Sequence, residues 1–338
     1  MNFQQSLKRR LKSKESLLFL ITLLIALAFF INNRNFLRID SLQGIMQTMS
    51  ITGIMAVGMS YLFIGGGIDL SMTFVSLFSG VICAMMIRSG IPWGIAVVLT
   101  LLIGAGIGAI NAFFVTKIKI MAFISTIAMS MVLQGVNLIL TNAQDIAVAV
   151  ADGHTFAWGS RTIWVFPVPF VIMTLLIVIY GVILTKTQFG RNVYLVGGNE
   201  YAARLAGVNP LKVRAILYIN AAFLSAMAGI VFTSRMRSAA PSTAADWQMN
   251  AITASILGGV AFGGGSGSML GCFIGIAMLN IFNAGLSSIA LAAHWTTMAQ
   301  GALLLIALAA DFVNERSRQK ALRVKAEVPS KVTAKEGA

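Results

Sequence analysis

The charged residues of this sequence divide it into long apolar stretches that carry no charge at all. Seven stretches contain 18 to 28 residues each: 16–33, 41–68, 70–87, 89–116, 120–144, 162–185 and 215–234. An eighth stretch, 247–310, runs for 64 residues without one Asp, Glu, Lys or Arg. An α-helix needs about 20 mostly apolar residues to cross the ~30 Å hydrocarbon core of a bilayer. The pattern therefore predicts an all-α, polytopic membrane protein.

Composition excludes the other broad classes of protein. Only 11% of the residues are charged and 57% are hydrophobic, whereas a typical soluble domain has roughly 25% charged residues. An ordinary soluble protein and a disordered chain are therefore both excluded. The sequence also lacks the strands of alternating polar and apolar residues that an outer-membrane barrel requires. The expected location is an inner or plasma membrane, which the chain crosses several times.

The basic residues predict the orientation, because Lys and Arg concentrate in cytoplasmic loops. Five lie in the N-terminal segment 1–16 and seven in the tail 314–338, which is expected to be disordered. Both ends are therefore expected to be cytoplasmic, with an even number of spans. The 64-residue stretch has room for three spans, one of them broken near Gly263–Gly267, which gives ten in total. This arrangement places 19 basic residues inside and six outside, and it explains the net charge of +14 without nucleic acid as a partner.

One cytoplasmic loop of the expected transmembrane domain, 17–313, is far longer than a turn between two helices requires. Loop 185–214 is polar and contains a short predicted helix. Asn199 is a favourable N-cap residue, Glu200 follows in the first turn, where the helix dipole favours a carboxylate, and Gly207 supplies a left-handed C-terminal cap. A helix of about two turns is marginal in water by itself. It must therefore dock, either on its own chain or on a partner.

The sequence contains no recognisable catalytic or metal-binding constellation. His154 and His294 lie in different predicted loops, and neither has a further ligand at the spacing that metal sites use. The run GGGSGS at 263–268 lacks the Lys-Ser/Thr pair that a phosphate-binding loop needs. We expect a chain that is not an enzyme, holds no cofactor or metal, and does not itself hydrolyse ATP.

Polar side chains within the predicted spans are functional candidates, because polar groups are costly inside a membrane. The candidates for lining a solute pathway are Asp69, Gln134, Asn137, Asn220, Asn280, Asn283 and Gln300. Each amide could instead form a hydrogen bond between helices. Asp69 could likewise cap the helix that is expected to begin at Leu70. The sequence leaves both alternatives open.

A faint internal repeat favours a duplicated architecture of the kind found in transporters. Gly104 and Gly108 precede Gln134 in the first half of the chain, and Gly271 and Gly275 precede Gln300 in the second. The glycines are related by an offset of 167 residues and the glutamines by 166. Each half also contains a triple glycine, at a different offset.

Three motifs carry a resemblance to a known family. They are GGGIDLS (65–71), TKTQFGRNVYLVGGNEYAARLAGV (185–208) and ILGGVAFGGGSGSMLGCFIG (256–275). Over roughly residues 15–315 the chain resembles the permease subunits of bacterial ATP-binding-cassette (ABC) importers for ribose, related monosaccharides and autoinducer-2. The central motif is the most specific, because Glu200, Ala202, Ala203 and Gly207 match the coupling helix of that family.

The resemblance implies the partners and the function of the chain. It implies a second permease subunit, identical or different, two cytoplasmic ATPase subunits that bind ATP and Mg, and a periplasmic sugar-binding protein. The chain would form the pathway for a monosaccharide or a similar small polyhydroxylated solute in the bacterial inner membrane. Asn199, Glu200, Ala202, Ala203 and Gly207 would couple it to the ATPase.

Two other classes of function remain as alternatives to an ABC permease. An ion-coupled secondary transporter of a small polar solute would need a relay of carboxylates within the membrane, for which Asp69 is the main candidate. A membrane enzyme is a third possibility, but the sequence lacks a catalytic constellation.

Overall fold

The structure is a computed structural model that describes residues 14–148, 156–242, 247–289, 294–309 and 312–313. Three features of the sequence analysis lie outside these residues: segment 1–13, His154 and the tail 314–338. The described chain is mostly helical, as predicted.

Twelve α-helices are present among the described residues. In chain order, α1 to α12 are Lys14–Asn32, Ile39–Ile64, Met72–Arg88, Trp93–Ala112, Ala122–Thr141, Val168–Lys186, Gln188–Gly198, Glu200–Leu205, Pro210–Met236, Trp247–Leu257, Met269–Ser288 and His294–Ala309. Helix α4 continues as a π-helix over Phe113–Ile118. Seven helices are long and apolar enough to cross a membrane, namely α1, α2, α4, α5, α6, α9 and α11.

The described strands are four short pieces of two residues each. Strand β1 (Ile146–Ala147) pairs antiparallel with β4 (Ser238–Ala239), and β2 (Thr162–Ile163) pairs with β3 (Phe166–Pro167). The first pair joins the segment after α5 to the end of α9, so it ties two distant parts of the chain together at one end of the bundle.

Helices α2 and α9 form the centre of the bundle. Helix α9 packs against α2, α3 and α4, while α2 also packs against α6, α10 and α11. The two central helices approach closely at Gly58, where an added Cβ would lie 3.2 Å from the Cα of Ala221. Small residues allow such contacts between membrane helices, where dispersion and hydrogen bonds drive association. Helix α1 lies at the periphery and packs mainly on α11, with the Phe29 ring against Gly285.

The glycines of the internal repeat allow close packing of helices in both halves of the chain. In α4, Gly108 faces α9, and a Cβ there would lie 2.7 Å from the Cα of Ile219. In α11, Gly275 faces α10, and a Cβ there would lie 2.9 Å from the Cα of Gly258. The packing therefore comprises two similar trios, α9 with α3 and α4, and α2 with α10 and α11.

Two of the apolar helices are short and begin beside each other within the bundle. Helix α3 has 17 residues and α10 has 11. The N–H of Gln248, at the start of α10, donates a hydrogen bond of 3.0 Å to the hydroxyl of Thr73, at the start of α3. Thr73 is buried. Both helices therefore begin inside the protein.

A close contact between α9 and α3 predicts a large effect of one added side chain. A Cβ at Gly229 of α9 would lie 2.7 Å from the Ser76 carbonyl carbon of α3 and still closer to its oxygen. We expect Gly229→Leu to lower the free energy of unfolding of the detergent-purified protein by about 1–3 kcal/mol, because backbone atoms must separate. Gly135→Leu is the matched control, because a Cβ there meets no heavy atom within 4 Å. Equal stability of the two variants would contradict the packing.

Candidate functional site

The long loop between α6 and α9 folds into two short helices, α7 and α8. The expected ends of α8 are confirmed: the Asn199 side chain accepts a hydrogen bond of 3.0 Å from the Ala202 N–H, and Gly207 has a φ of +77°. Helix α7 was not predicted. Its signals are the Thr187 N-cap, which accepts a bond from the Gly190 N–H, and the buried pair Val193 and Val196 at helical spacing.

The two sides of α8 face different surroundings. Ala203 is 0% exposed and packs within its own chain, whereas Tyr201 is 72% and Leu205 is 73% exposed. The expectation that Ala203 itself approaches a partner is therefore not matched by its position. The helix docks on its own chain through Ala203 and turns a different face outward. We call the exposed pair Tyr201 and Leu205 the apolar face of α8.

Glu200 holds α8 to the central helix α9. Its carboxylate forms ion pairs with Arg204 at 2.7 Å and with Arg214 of α9 at 2.9 Å. The hydrogen bond from the Arg204 guanidinium lowers the pKa of Glu200 below its usual value, and the charge of Arg214 lowers it further. The carboxylate is thus engaged within the chain, and the ion pairs fix the direction in which α8 presents its apolar face.

Two glycine-rich segments, 65–67 and 263–267, meet the end of α7 at 197–198. We call this contact of 65–67, 197–198 and 263–267 the glycine junction. The Gly265 N–H donates to the Ile64 carbonyl at 2.9 Å, and the Tyr194 hydroxyl of α7 donates to the Gly267 carbonyl at 2.6 Å. A Cβ on Gly264 would lie 2.6 Å from the Gly197 oxygen. The junction joins α7 to the segment before α3 and to the segment after α10.

A cavity of about 620 Å³ lies at the other end of the bundle, where α2 begins and where α9 and α11 end. Its surface is more apolar than polar, but several asparagines line it, and we call it the polar cavity after them. Two of the predicted pathway residues, Asn280 and Asn283, line this cavity. Its other polar lining residues were not predicted from the sequence, and they include Asn33, Asn35, Arg235, Trp247 and Asn250. Their only signal was an unusual density of asparagine next to predicted span ends, and Arg235 was counted only as one of the six basic residues outside.

Two other predicted residues form hydrogen bonds within the bundle. Asp69 is buried, and its carboxylate accepts hydrogen bonds from the Ser71 N–H at 2.7 Å and from the Asn111 amide at 3.3 Å. Asp69 therefore holds the turn before α3, which begins at Met72 after the N-cap residue Ser71, and it does not cap a helix that begins at Leu70. Asn220 of α9 accepts a hydrogen bond from the Tyr180 hydroxyl of α6. Both residues lie apart from the cavity.

The last three predicted residues are scattered. Asn137 of α5 is buried, and no described residue forms a hydrogen bond with its side chain. Gln134 is exposed on the same helix, and Gln300 is half-buried on α12. None of them lines the cavity. Over the residues that the structure describes, no group of three or more His, Cys, Asp or Glu side chains could hold a metal ion.

The lowered pKa of Glu200 gives α8 a predicted dependence on pH. Its ion pairs stabilise α8 above the ordinary glutamate range, near pH ~4.3, and this stabilisation is lost as the pH falls through the lowered pKa. Glu200→Gln should remove it at every pH. Amide hydrogen exchange in α8 should then be faster than wild type at pH ~7 and similar to wild type in acid. Arg204→Gln keeps the Arg214 pair and should be intermediate. Wild-type protection in Glu200→Gln would show that Ala203 packing alone holds the helix.

Comparison with known proteins places this architecture in context. A family model described as "Branched-chain amino acid transport system / permease component" matches residues 41–308. The chain is 33% identical to the ribose import permease protein of Haemophilus influenzae over 312 residues, which are 92% of this chain and 95% of that protein. It is 33% identical to the L-arabinose transport system permease protein of Escherichia coli over 301 residues, or 89% of each chain.

A third relative extends the range of named sugars. The fructose import permease protein of Rhizobium meliloti is 31% identical over 319 residues, which are 91% of this chain and 88% of that protein. These matches cover nearly the whole chain and favour an importer permease over an ion-coupled secondary transporter. They agree with seven membrane-length helices in a multi-pass protein of the inner membrane. The chain belongs to the permease family that includes the ribose, L-arabinose and fructose import permeases.

Proposed function

We propose that the chain is the permease subunit of an ABC importer and forms the pathway for a monosaccharide or a similar small polyhydroxylated solute. The named solutes of three relatives support the substrate class, since these are ribose, L-arabinose and fructose. In this proposal the chain is not an enzyme and holds no cofactor. Separate cytoplasmic subunits bind ATP and Mg and hydrolyse ATP, a second permease subunit completes the pathway, and a periplasmic protein delivers the solute.

The observation that carries the proposal is the apolar face of α8. Tyr201 and Leu205 are four residues apart, so they lie on one side of the helix, and both are mostly exposed. The opposite side is fixed by the buried Ala203 and by the Glu200–Arg214 ion pair. A short helix that is held rigidly and shows a large apolar pair to water is suited to dock into a groove on another protein. We assign that groove to the ATPase subunit.

The proposed topology has ten membrane segments with both ends cytoplasmic. The seven long helices supply seven segments, and the shorter apolar helices α3, α10 and α12 supply three. The transmembrane domain then occupies 17–313, as the charge pattern predicts. Helices α7 and α8 lie on the cytoplasmic side, where an ATPase can reach them. The polar cavity lies at the outer end, where a periplasmic protein delivers solute.

The docking role of α8 predicts that charge on its apolar face abolishes coupling. In Leu205→Glu and Tyr201→Glu the chain should insert normally, because both side chains are exposed. ATPase subunits should no longer co-purify with either variant, and ATP-dependent sugar uptake into proteoliposomes should be lost. Trp164→Glu is the control, because Trp164 is 94% exposed at the opposite end of α6. Ala203→Arg should instead reduce the yield of folded protein, because Ala203 is buried.

Two results would decide against this assignment of α8. Normal ATPase co-purification and uptake by Leu205→Glu would show that the ATPase docks elsewhere. If Trp164→Glu also lost ATPase co-purification and uptake, the effect would be a general one of added charge.

The ten-segment topology predicts which sites an impermeant thiol reagent reaches from outside intact cells. The native thiols, Cys83 and Cys272, are buried and are first replaced by alanine. A cysteine at Ser160, in the segment before α6, should be labelled from outside. A cysteine at Gln188, at the start of α7, should be labelled only after the membrane is opened. External labelling at Gln188 would reverse the proposed orientation.

A further inference from the structure

We infer that the polar cavity at the outer end is a binding site, within a single subunit, for one uncharged, hydroxyl-rich ring. The inference rests on the proposed function, because it assigns to the transported solute a place that neither the relatives nor the sequence pattern defines. It selects Asn280 and Asn283 from the seven predicted pathway residues and adds Trp247, Arg235 and Asn250.

The amides of α11 leave hydrogen-bonding capacity for a ligand. The Asn280 amide nitrogen donates to the Ile276 carbonyl at 2.8 Å, and this bond leaves its side-chain oxygen for the cavity. One helical turn on, the Asn283 side-chain oxygen is buried, and no described residue donates a hydrogen bond to it. A buried acceptor without a donor is unfavourable, and the loss is larger away from water. Asn283 lines the cavity, so a rotation of its side chain would bring this acceptor to a hydroxyl group there.

The remaining lining residues suit a neutral sugar ring better than an ion. Trp247 packs edge-on against Phe232, with ring centroids 4.7 Å apart, which fixes its orientation at the cavity. An indole offers a flat apolar surface with a polar N–H at its edge, which matches the mixed apolar and hydroxyl faces of a sugar. Arg235 is the one charged residue among the described residues that line the cavity. A cation would meet no carboxylate among these described residues, whereas guanidinium and amide groups donate readily to hydroxyl and ring oxygens.

Size and position are consistent with this ligand. The cavity volume of about 620 Å³ falls within the range of about 300–1,000 Å³ that is usual for small-molecule sites. Trp247 and Asn250 belong to the first turn of α10, and the adjacent Gln248 bonds to Thr73 at the start of α3. A solute in the cavity would therefore contact the place where the two short helices begin. Helices that are broken near the middle of the membrane form the substrate sites of other transporters.

Gly44 of α2 allows the cavity to be filled without disturbing the fold. Gly44 lines the cavity, and a Cβ there meets no heavy atom within 4 Å. Gly44→Phe should therefore place a ring in the cavity space. Gly106→Phe in α4 is the matched control, because Gly106 is also a helical glycine with no heavy atom within 4 Å of an added Cβ, and it lies away from the cavity.

The test uses the complete transporter in proteoliposomes, with radiolabelled ribose, L-arabinose and fructose and the delivering binding protein. Gly44→Phe should reduce uptake of the transported sugar to the level of protein-free vesicles, while Gly106→Phe keeps wild-type uptake. Both variants should retain ATPase subunits and the ATPase activity that the loaded binding protein stimulates. Asn283→Leu should raise the KM for uptake about three- to tenfold with the same assembly, because one hydrogen bond to the solute is lost.

The outcomes separate this inference from the proposed function. Failure of the wild-type complex to bind ATPase subunits or to take up any sugar with ATP would contradict the proposed function. Wild-type uptake by Gly44→Phe would overturn the cavity assignment and leave the proposed function intact. If Gly44→Phe does not assemble, the Asn283→Leu variant tests the cavity assignment instead. An unchanged KM for uptake would overturn the assignment, and a raised KM would support it.

Discussion

The absence of water around its helices is the constraint on which the rest of this structure depends. In hydrocarbon, helix association gains little from apolar burial, so close packing and hydrogen bonds between helices determine the arrangement. The bundle meets this requirement with glycine at tight helix contacts, such as Gly229 on α9 and Gly108 on α4. Paired polar groups also connect the helices. The Ser60 hydroxyl of α2, for example, donates a hydrogen bond of 3.0 Å to the Ser255 hydroxyl of α10.

The same constraint explains where the chain is irregular. Backbone that is not helical can lie at membrane depth only where protein covers it. The glycine junction satisfies this condition, because the Gly265 N–H bonds to the Ile64 carbonyl and the Tyr194 hydroxyl of α7 bonds to the Gly267 carbonyl. It thereby links α7 to the segment that leads to α3 and to the segment that follows α10. The apolar face of α8 and the polar cavity lie at opposite ends of this connected structure.

Local features could be predicted from the sequence, and features that depend on tertiary packing could not. The charge-free stretches indicated the long helices, and the caps at Asn199 and Gly207 were recognisable because a cap depends on a few adjacent residues. The burial of Ala203 depends on how α8 docks, which no local pattern specifies. The cavity combines residues from four segments of the chain, 33–52, 232–235, 247–250 and 280–288, so only Asn280 and Asn283 were among the predicted pathway residues, and five others on the same list lie elsewhere.

Each helical trio combines helices from both halves of the chain, which affects how the protein can fold during its biosynthesis. Helix α2, from the first half, packs with α10 and α11, while α9, from the second half, packs with α3 and α4. Neither half can therefore complete its core alone. During translation, α2 enters the membrane long before α9, α10 and α11 are made. In that interval its hydroxyl groups can bond within the helix itself, as Ser50 does to the Met46 carbonyl in the finished protein.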